Sequence, residues 1–215
     1  MEAFGELPTV DNLGRAWWAV DTNGTLTIAC EEDAVIADLG WVSIDGAVST
    51  APVEGAWSTA RGLITKIVMR PGVAAQNAGA WFAGMTKLTD ISQAYVPAKA
   101  TFTNSMFSGC TSLSEIPEGF TFPASVTAAR SMFRDCSSIT SLPADFTLQG
   151  TSLVDAHSFF FKTGFKYLPD GFAFPENATN LQHCFSGTKL VQLPETLRLP
   201  SAPNLYVNRM FADCS

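Results

Sequence analysis

Three sets of apolar positions recur along the chain with a period close to 26 residues. The segment 106–113 reads Met-Phe-Ser-Gly-Cys-Thr-Ser-Leu, returns at 132–139 as Met-Phe-Arg-Asp-Cys-Ser-Ser-Ile, and begins again at 210–214 as Met-Phe-Ala-Asp-Cys. Counting one anchor phenylalanine per repeat gives spacings of 25, 26, 26, 26 and 26 residues. The anchors are Phe82, Phe107, Phe133, Phe159, Phe185 and Phe211. A register of this kind predicts structural repeats.

Two further apolar sets lie between the anchors. The first is an apolar-x-x-apolar motif, and proline follows it directly in its last four copies, at positions 117, 143, 169 and 194. Its copies are Ile64/Ile67, Leu88/Ile91, Leu113/Ile116, Ile139/Leu142, Phe165/Leu168 and Leu190/Leu193. The second alternates with period two, which points both side chains to one side of an extended segment. Its copies are Phe120/Phe122, Phe146/Leu148, Phe172/Phe174 and Leu197/Leu199.

These patterns predict an α/β repeat that stacks into a parallel β-solenoid with an N-terminal β-hairpin cap. Each unit is expected to contain a short strand that ends at proline, a second extended segment, and one helical or 3₁₀ turn carrying Met-Phe. A unit of this size cannot bury three apolar sets alone, whereas stacked copies can. We therefore expect residues 1–61 to be a β-rich capping segment and residues 62–215 to be a repeat domain of about six turns.

The expected cap contains a hairpin and most of the tryptophans. Residues 16–21 and 25–30 are β-prone runs joined through Asn23-Gly24, which tolerates the positive φ angles of a tight hairpin turn. Trp17, Trp18, Trp41 and Trp57 are expected to bury the open end of the repeats. An exposed aromatic platform for carbohydrate is the alternative.

The last motif is interrupted at Ser215, where the next strand is expected to begin. We therefore expect a fragment of a longer array, or a chain that self-associates through its uncapped C-terminal end. The side chains expected to be exposed on that end are Leu190, Leu193, Leu197, Leu199 and Phe211.

The Met-Phe-x-x-Cys-x-Ser-Leu units resemble the BspA-type leucine-rich repeats of bacterial surface proteins, from about residue 62 to the end. Residues 18–28, around Asn23-Gly24, resemble the β-hairpin that often caps such arrays. The resemblance implies a leucine-rich-repeat-like fold, secretion or surface anchoring, and adhesion to a partner molecule. The fourth repeat departs from the family pattern, because Ser-Phe-Phe-Phe-Lys stands at 158–162 in place of Met-Phe-x-x-Cys.

Two groups of residues are candidates for binding. The third position of each apolar-x-x-apolar motif is expected to line one exposed sheet face, the kind of face through which repeat proteins bind. These positions are Lys66, Asp90, Glu115, Ser141, Tyr167 and Gln192, with Asp90, Glu115 and Tyr167 as the expected contact row. In the fourth repeat, Phe160 and Phe161 follow the assigned anchor, where other repeats have small or polar pairs. One of them, Phe160 first, is expected to form an exposed patch, or else both rings fill a locally shifted turn.

Composition and candidate chemistry narrow the functional classes. The chain has a net charge of −7 with scattered basic residues, which argues against nucleic acid and against a membrane-binding patch, and no apolar run is long enough to insert into a membrane. Cys110, Cys136 and Cys214 share one repeat position, with Met85 and Lys162 as alternatives, and are expected to be reduced packing residues. The acidic run at 31–33 lacks the ligand pattern of a calcium loop, and His157 and His183 are expected to be ordinary loop histidines. We expect no enzyme activity, cofactor or metal.

The expected function is therefore a surface binding or adhesion scaffold for a protein or a glycan. An accessory module of a larger secreted enzyme, such as a glycosidase, and a structural spacer are the alternatives. The expected location is extracellular or on a cell surface, with the cytoplasm as the alternative because the first residues do not form a leader.

Overall fold

The computed structural model describes residues 3–7, 16–30, 57, 60–148 and 150–215, with side chains left out at 3–7, 16, 17, 19 and 30. The expected capping segment 1–61 is therefore described only in part. Trp41 and the acidic run at 31–33 lie outside the described residues, and the side chain of Trp17 does too.

One five-stranded mixed sheet forms the N-terminal part. Its strands, in sequence and in space, are β1 (Ala3–Leu7), β2 (Ala16–Val20), β3 (Thr25–Cys30), β4 (Lys66–Met69) and β5 (Asp90–Gln93). The first three pair antiparallel, and β3, β4 and β5 pair in parallel. The β2–β3 turn is closed by Asp21, whose Oδ1 accepts the N–H groups of Asn23 and Thr25 at 2.8 Å each, while Gly24 takes φ +82°.

The expected α/β repeat with a leucine-rich-repeat-like parallel β-solenoid is wrong. Among the described residues the parallel sheet has only three strands, a 3₁₀ turn at Arg61–Leu63 is the sole helical element, and the chain beyond Gln93 is turns and coil. The physical reason lies after each apolar-x-x-apolar motif. The two copies that form β4 and β5 are not followed by proline, whereas the last four copies are, and proline removes the next ladder donor.

The turns of successive repeats nevertheless bond to one another in chain order. Single parallel bridges run through Asn77, Phe102, Ala128, Asp155, Asn180 and Tyr206. Alternate backbone N–H groups of one repeat donate to the next: Ser105 to Arg130, Phe107 to Met132 and Gly109 to Arg134, at 2.7–3.0 Å. The N–H groups between them close turns inside the repeat, as from Ser108 to Ser105 at 3.1 Å. Nearly every backbone donor of these turns is thereby satisfied without a continuous strand.

A column of stacked phenylalanine rings fills the interior, and it corrects the assignment of the fourth anchor. Phe160, not Phe159, lies in the column, 5.9 Å from Phe133 and 5.8 Å from Phe185, with 12° between the ring planes in both cases. Phe159 occupies the position that Met106, Met132 and Met210 occupy elsewhere. The six column rings define six units, used below: Phe82, Phe107, Phe133, Phe160, Phe185 and Phe211.

The true spacing of the anchors is 25, 26, 27, 25 and 26 residues, identical to that of the parallel bridges. The expected helical Met-Phe turn is also wrong, because left-handed residues lie two positions before and two after each anchor. In unit four these are Ser158 at φ +57° and Lys162 at φ +57°. Lys162 therefore matches the glycines Gly84, Gly109 and Gly187, and the cysteine position falls to Thr163.

The expected exposure of Phe160 is wrong, since the ring is fully buried, while Phe161 is half-buried. Phe160 also meets Phe165 edge-on at 5.1 Å and Phe159 at 4.6 Å. The one-residue shift brings Phe160 inward and leaves the next side chain facing outward.

Tryptophans close the column at its N-terminal end. Trp57 stacks on Phe82 at 5.7 Å and meets Trp18 and Trp81 edge-on at 6.0 and 6.3 Å. Trp18 and Trp57 are both buried, so these two do not form an exposed carbohydrate platform. At the other end Leu193, Leu199 and Phe211 are exposed as expected, whereas Leu190 is buried and Leu197 is partly buried.

We predict that Phe160→Ala lowers the free energy of unfolding by about 3–5 kcal/mol, because it removes one ring from the middle of the column. Phe161→Ala is the matched control, since it deletes the same ring one residue away from the core, and it should cost about 1 kcal/mol or less. Denaturant unfolding followed by tryptophan fluorescence measures both. Equal losses in the two variants would contradict the assignment of Phe160 to the column.

Candidate binding surfaces

The side chains at the third motif position, called here the third-position row, are the first candidate surface. Glu115, Ser141, Tyr167 and Gln192 are exposed, and Lys66 and Asp90 are half-exposed. Lys66 pairs with Asp90 across β4 and β5, and Tyr167 forms an isolated parallel bridge with Gln192. The expected ladder of six paired strands is wrong in the middle of the row, because the motifs of Glu115 and Ser141 form no strand.

Asp90 is the most constrained charge of this row. Its Oδ1 accepts the N–H and the hydroxyl of Ser92 at 2.9 and 2.6 Å, and its Oδ2 lies 2.9 Å from Lys66 Nζ. The Ser92 side chain is the largest cause, followed by Lys66, of a pKa lowered to about 2 for the Asp90 carboxyl. Asp90 is therefore fully ionised at neutral pH, but it is already engaged within the chain.

An exposed apolar patch lies at the other end of the same row. Tyr167 is 59% exposed, and Val191 and Leu193 of the neighbouring motif are exposed as well. The backbone N–H of Val191 donates to the carbonyl oxygen of Lys166 at 3.1 Å, which holds the two motifs side by side. Tyr167 combines a large apolar ring with a hydroxyl, a combination that is common in binding interfaces.

A second surface surrounds Phe161 on the side of the anchor turns. The guanidinium of Arg134 lies 4.6 Å from the centroid of the Phe161 ring, and Lys162 Nζ lies 5.3 Å from it. The ring of His183 meets the same phenylalanine at 6.2 Å. Of the two predicted aromatic site residues, only Phe161 therefore belongs to a surface.

The two histidines extend this surface, although they are far apart in sequence. Their ring centroids lie 5.8 Å apart, and Arg130 Nε reaches Asp155 Oδ2 at 3.2 Å beside them. Burial lowers the pKa of His157 below its usual 6.5, and Arg130 lowers it further.

Sequence reasoning missed the proximity of the histidines. The available signal was one extra residue in the loop that leads into unit four. Phe120 and Val126 are six residues apart in the loop before it, whereas the equivalent Phe146 and Leu153 are seven residues apart. This insertion shifts His157 by one position against the regular period, so a count of repeat lengths places it away from His183.

The cysteines lie in the core, where three of them bond to the preceding unit. The thiols of Cys110 and Cys136 donate to the carbonyl oxygens of Phe82 and Phe107 at 3.1 and 3.0 Å, and the partly buried Cys214 lies 3.3 Å from the Phe185 oxygen. All four cysteines whose side chains are described are free. Burial raises the pKa of Cys110 to about 12 and raises those of Cys136 and Cys184 strongly, so these thiols are poor nucleophiles.

Within the described ranges, no group of three or more His, Cys, Asp and Glu side chains is arranged to hold a metal ion. The part of the chain that the structure describes contains no helix with the length and apolar character to cross a bilayer.

Comparison of the chain with protein-family models, with curated proteins and with solved structures found no match.

We predict that Ser92→Ala raises the pKa of Asp90 further towards 3.8 than Lys66→Met does, since the Ser92 hydrogen bond is the larger cause of its depression. NMR titration of the Asp90 carboxyl measures both shifts. A lowered carboxyl pKa contributes stability that is present above about pH 4 and is lost as the pH falls towards 2. Solvent screening keeps this contribution small at such an exposed pair. A larger shift in Lys66→Met would reverse the assigned order of causes.

The burial of the thiols predicts the order in which they react. At pH 8, iodoacetamide should label Cys214 first, while Cys110, Cys136 and Cys184 react only after unfolding. Mass spectrometry of tryptic peptides identifies the labelled residues. Denatured, unreduced protein serves as the control and should yield five free thiols, the full number of cysteines in the chain. Prompt labelling of Cys136, or a disulfide-linked peptide, would contradict this prediction.

Proposed function

We propose that this protein is a non-catalytic binding or adhesion scaffold that recognises a protein or a glycan through the third-position row, with the exposed ring of Tyr167 as its main anchor. The proposed location is extracellular or on a cell surface.

The observation that supports this proposal is the contrast between the inside and the outside of the same units. The column position is phenylalanine in all six units, and the residue before it is apolar or cysteine throughout. The third-position row, in contrast, changes from unit to unit among basic, acidic, hydroxyl, aromatic and amide side chains. Because these exposed side chains do not serve the common packing, they can differ freely and present an individual surface.

The chemistry of the row suits a macromolecular or sugar ligand. Glu115 and Ser141 provide exposed acceptors and a hydroxyl, and Tyr167 lies beside the exposed side chains of Val191 and Leu193. A polar stretch next to an aromatic and aliphatic patch resembles the arrangement of an interface rim and its anchor. The resemblance of the repeated motif to BspA-type surface proteins supports the same function.

A binding screen tests the proposal. The full chain is applied to a glycan array and to an array of purified extracellular proteins, and every hit is measured again by surface plasmon resonance. We predict that Tyr167→Ala weakens binding to a hit by more than about tenfold, the loss typical of an aromatic residue that dominates an interface.

The chain offers a matched control for this substitution. Tyr206 is 55% exposed, close to the value for Tyr167, but it lies on the bridge column that runs through Asn180. Tyr206→Ala should leave the dissociation constant within about twofold of the parent value. Binding that is lost equally in both variants, or the absence of any hit on both arrays, would overturn the proposal.

A further inference from the structure

The surface around Phe161 has features that neither the core nor the third-position row explains. We call it the Phe161 cluster: Arg130, Arg134, Asp135, Asp155, His157, Phe161, Lys162 and His183. The residue after the column ring is Ala83, Ser108, Arg134, Ser186 or Ala212 in the other units. Only unit four places a large aromatic ring at this outward position, where packing does not require one.

The Phe161 ring organises positive charge. Arg134 and Lys162 come from two different units, and both lie within cation–π distance of the same ring, at 4.6 and 5.3 Å. Arg130 lies in the unit of Arg134, next to the paired histidines. Three permanent cations and two imidazoles thus face two carboxylates, Asp135 and Asp155, on a chain whose net charge is −7. The local excess of cations is the reverse of the overall charge.

The donors of this cluster are not used up by its carboxylates. Arg130 and Arg134 each contact one carboxylate through Nε, at 3.2 and 3.1 Å, and a guanidinium carries five N–H donors. Both ion pairs are close to half-exposed, a setting in which such pairs contribute little and exchange readily. A second acid can therefore be bound without breaking a strong internal interaction.

His183 marks the same place by its conformation. It has φ +55°, at a position that the other units fill with Ala80, Ser105, Ser131, Ser158 and Arg209. Its Nδ1 is buried and has no hydrogen-bond partner among the described residues. A strained backbone and an unpartnered buried nitrogen occur together at the edge of the cationic group, and both features are common at ligand sites.

We propose that the Phe161 cluster binds one oxyanion, the sulfate, phosphate or carboxylate group of an acidic ligand. Arg130, Arg134 and Lys162 supply the charge and donate the hydrogen bonds, and the Phe161 ring positions Arg134 and Lys162. Guanidinium and ammonium groups donate but do not accept, so only an acceptor-rich anion satisfies them together. This site does not depend on the third-position row and stands whether or not that row binds a ligand.

Anion binding is coupled to the protonation of His157. A bound anion faces His157 together with Arg130, Asp155 and His183, and it offsets the positive charge that disfavours imidazolium there. The anion therefore raises the pKa of His157, and its affinity increases as the pH falls below about 6.5, the usual pKa of histidine.

Isothermal titration with sodium sulfate, inorganic phosphate and sodium acetate, at constant ionic strength set by sodium chloride, tests the site in the full chain. We expect saturable binding with a dissociation constant of about 1 mM or tighter. Arg134→Gln should raise that constant at least about tenfold, because it removes a charged donor. Imidazole NMR should show the His157 pKa rising as the tightest of the three anions is added. The order of affinity among the three identifies whether the site prefers a tetrahedral or a planar oxyanion.

Two controls separate a site from general charge effects. Arg198→Gln removes an exposed arginine whose guanidinium donates to the backbone oxygens of Glu195 and Leu197, away from the cluster, and it should leave the constant within about twofold. Phe161→Ala keeps every charge and should weaken binding, since the two cations lose the ring between them. Absence of saturable binding, or equal effects of Arg134→Gln and Arg198→Gln in variants with unchanged thermal unfolding, would overturn the proposal.

Discussion

Every unit of this protein must present its anchor turn in register with the next, because alternate backbone N–H groups of one turn donate to the carbonyl oxygens of the following turn. This constraint determines where the rings lie. A one-residue slip inside a single unit would leave buried donors unpaired and would also move a phenylalanine out of the column, and each error costs on the order of a few kcal/mol. Hydrogen bonding and ring stacking therefore enforce the same alignment.

The fourth unit shows what periodicity predicts and what it cannot. Six aromatic anchors, their order and their inward position follow from the regular spacing alone, and the structure contains them. Three consecutive phenylalanines at 159–161 satisfy that spacing about equally well, so the pattern cannot choose among them. The backbone decides, because Ser158 and Lys162 take left-handed conformations two residues to either side of Phe160. An extra residue before this anchor and a shorter turn after it cancel over two units, which hides the change from any count of repeat lengths.

The failure of the predicted strands has a similarly local cause. The apolar-x-x-apolar motif positions its side chains inward in nearly every unit, as expected, yet it becomes a strand only in β4 and β5. Inward apolar side chains are a property of spacing, whereas a strand also needs consecutive backbone donors, and the prolines remove one at a critical place. The proximity of His157 and His183 was invisible for the opposite reason. It depends on which turn receives the extra residue, and the chain's apolar pattern carries little information about that turn.

Cysteine and threonine close the anchor turns in two different ways. Where cysteine follows the anchor, its thiol reaches back to a carbonyl oxygen of the preceding unit, whereas the hydroxyls of Thr163 and Thr188 bond to the oxygen of their own anchors, Phe160 and Phe185, at 2.9 and 2.7 Å. The threonine turns are also one residue shorter before the next apolar position. Side chain and turn length thus form a matched pair, so recombination that exchanges whole units preserves the match, while a crossover inside an anchor turn joins a long turn to the wrong closing group.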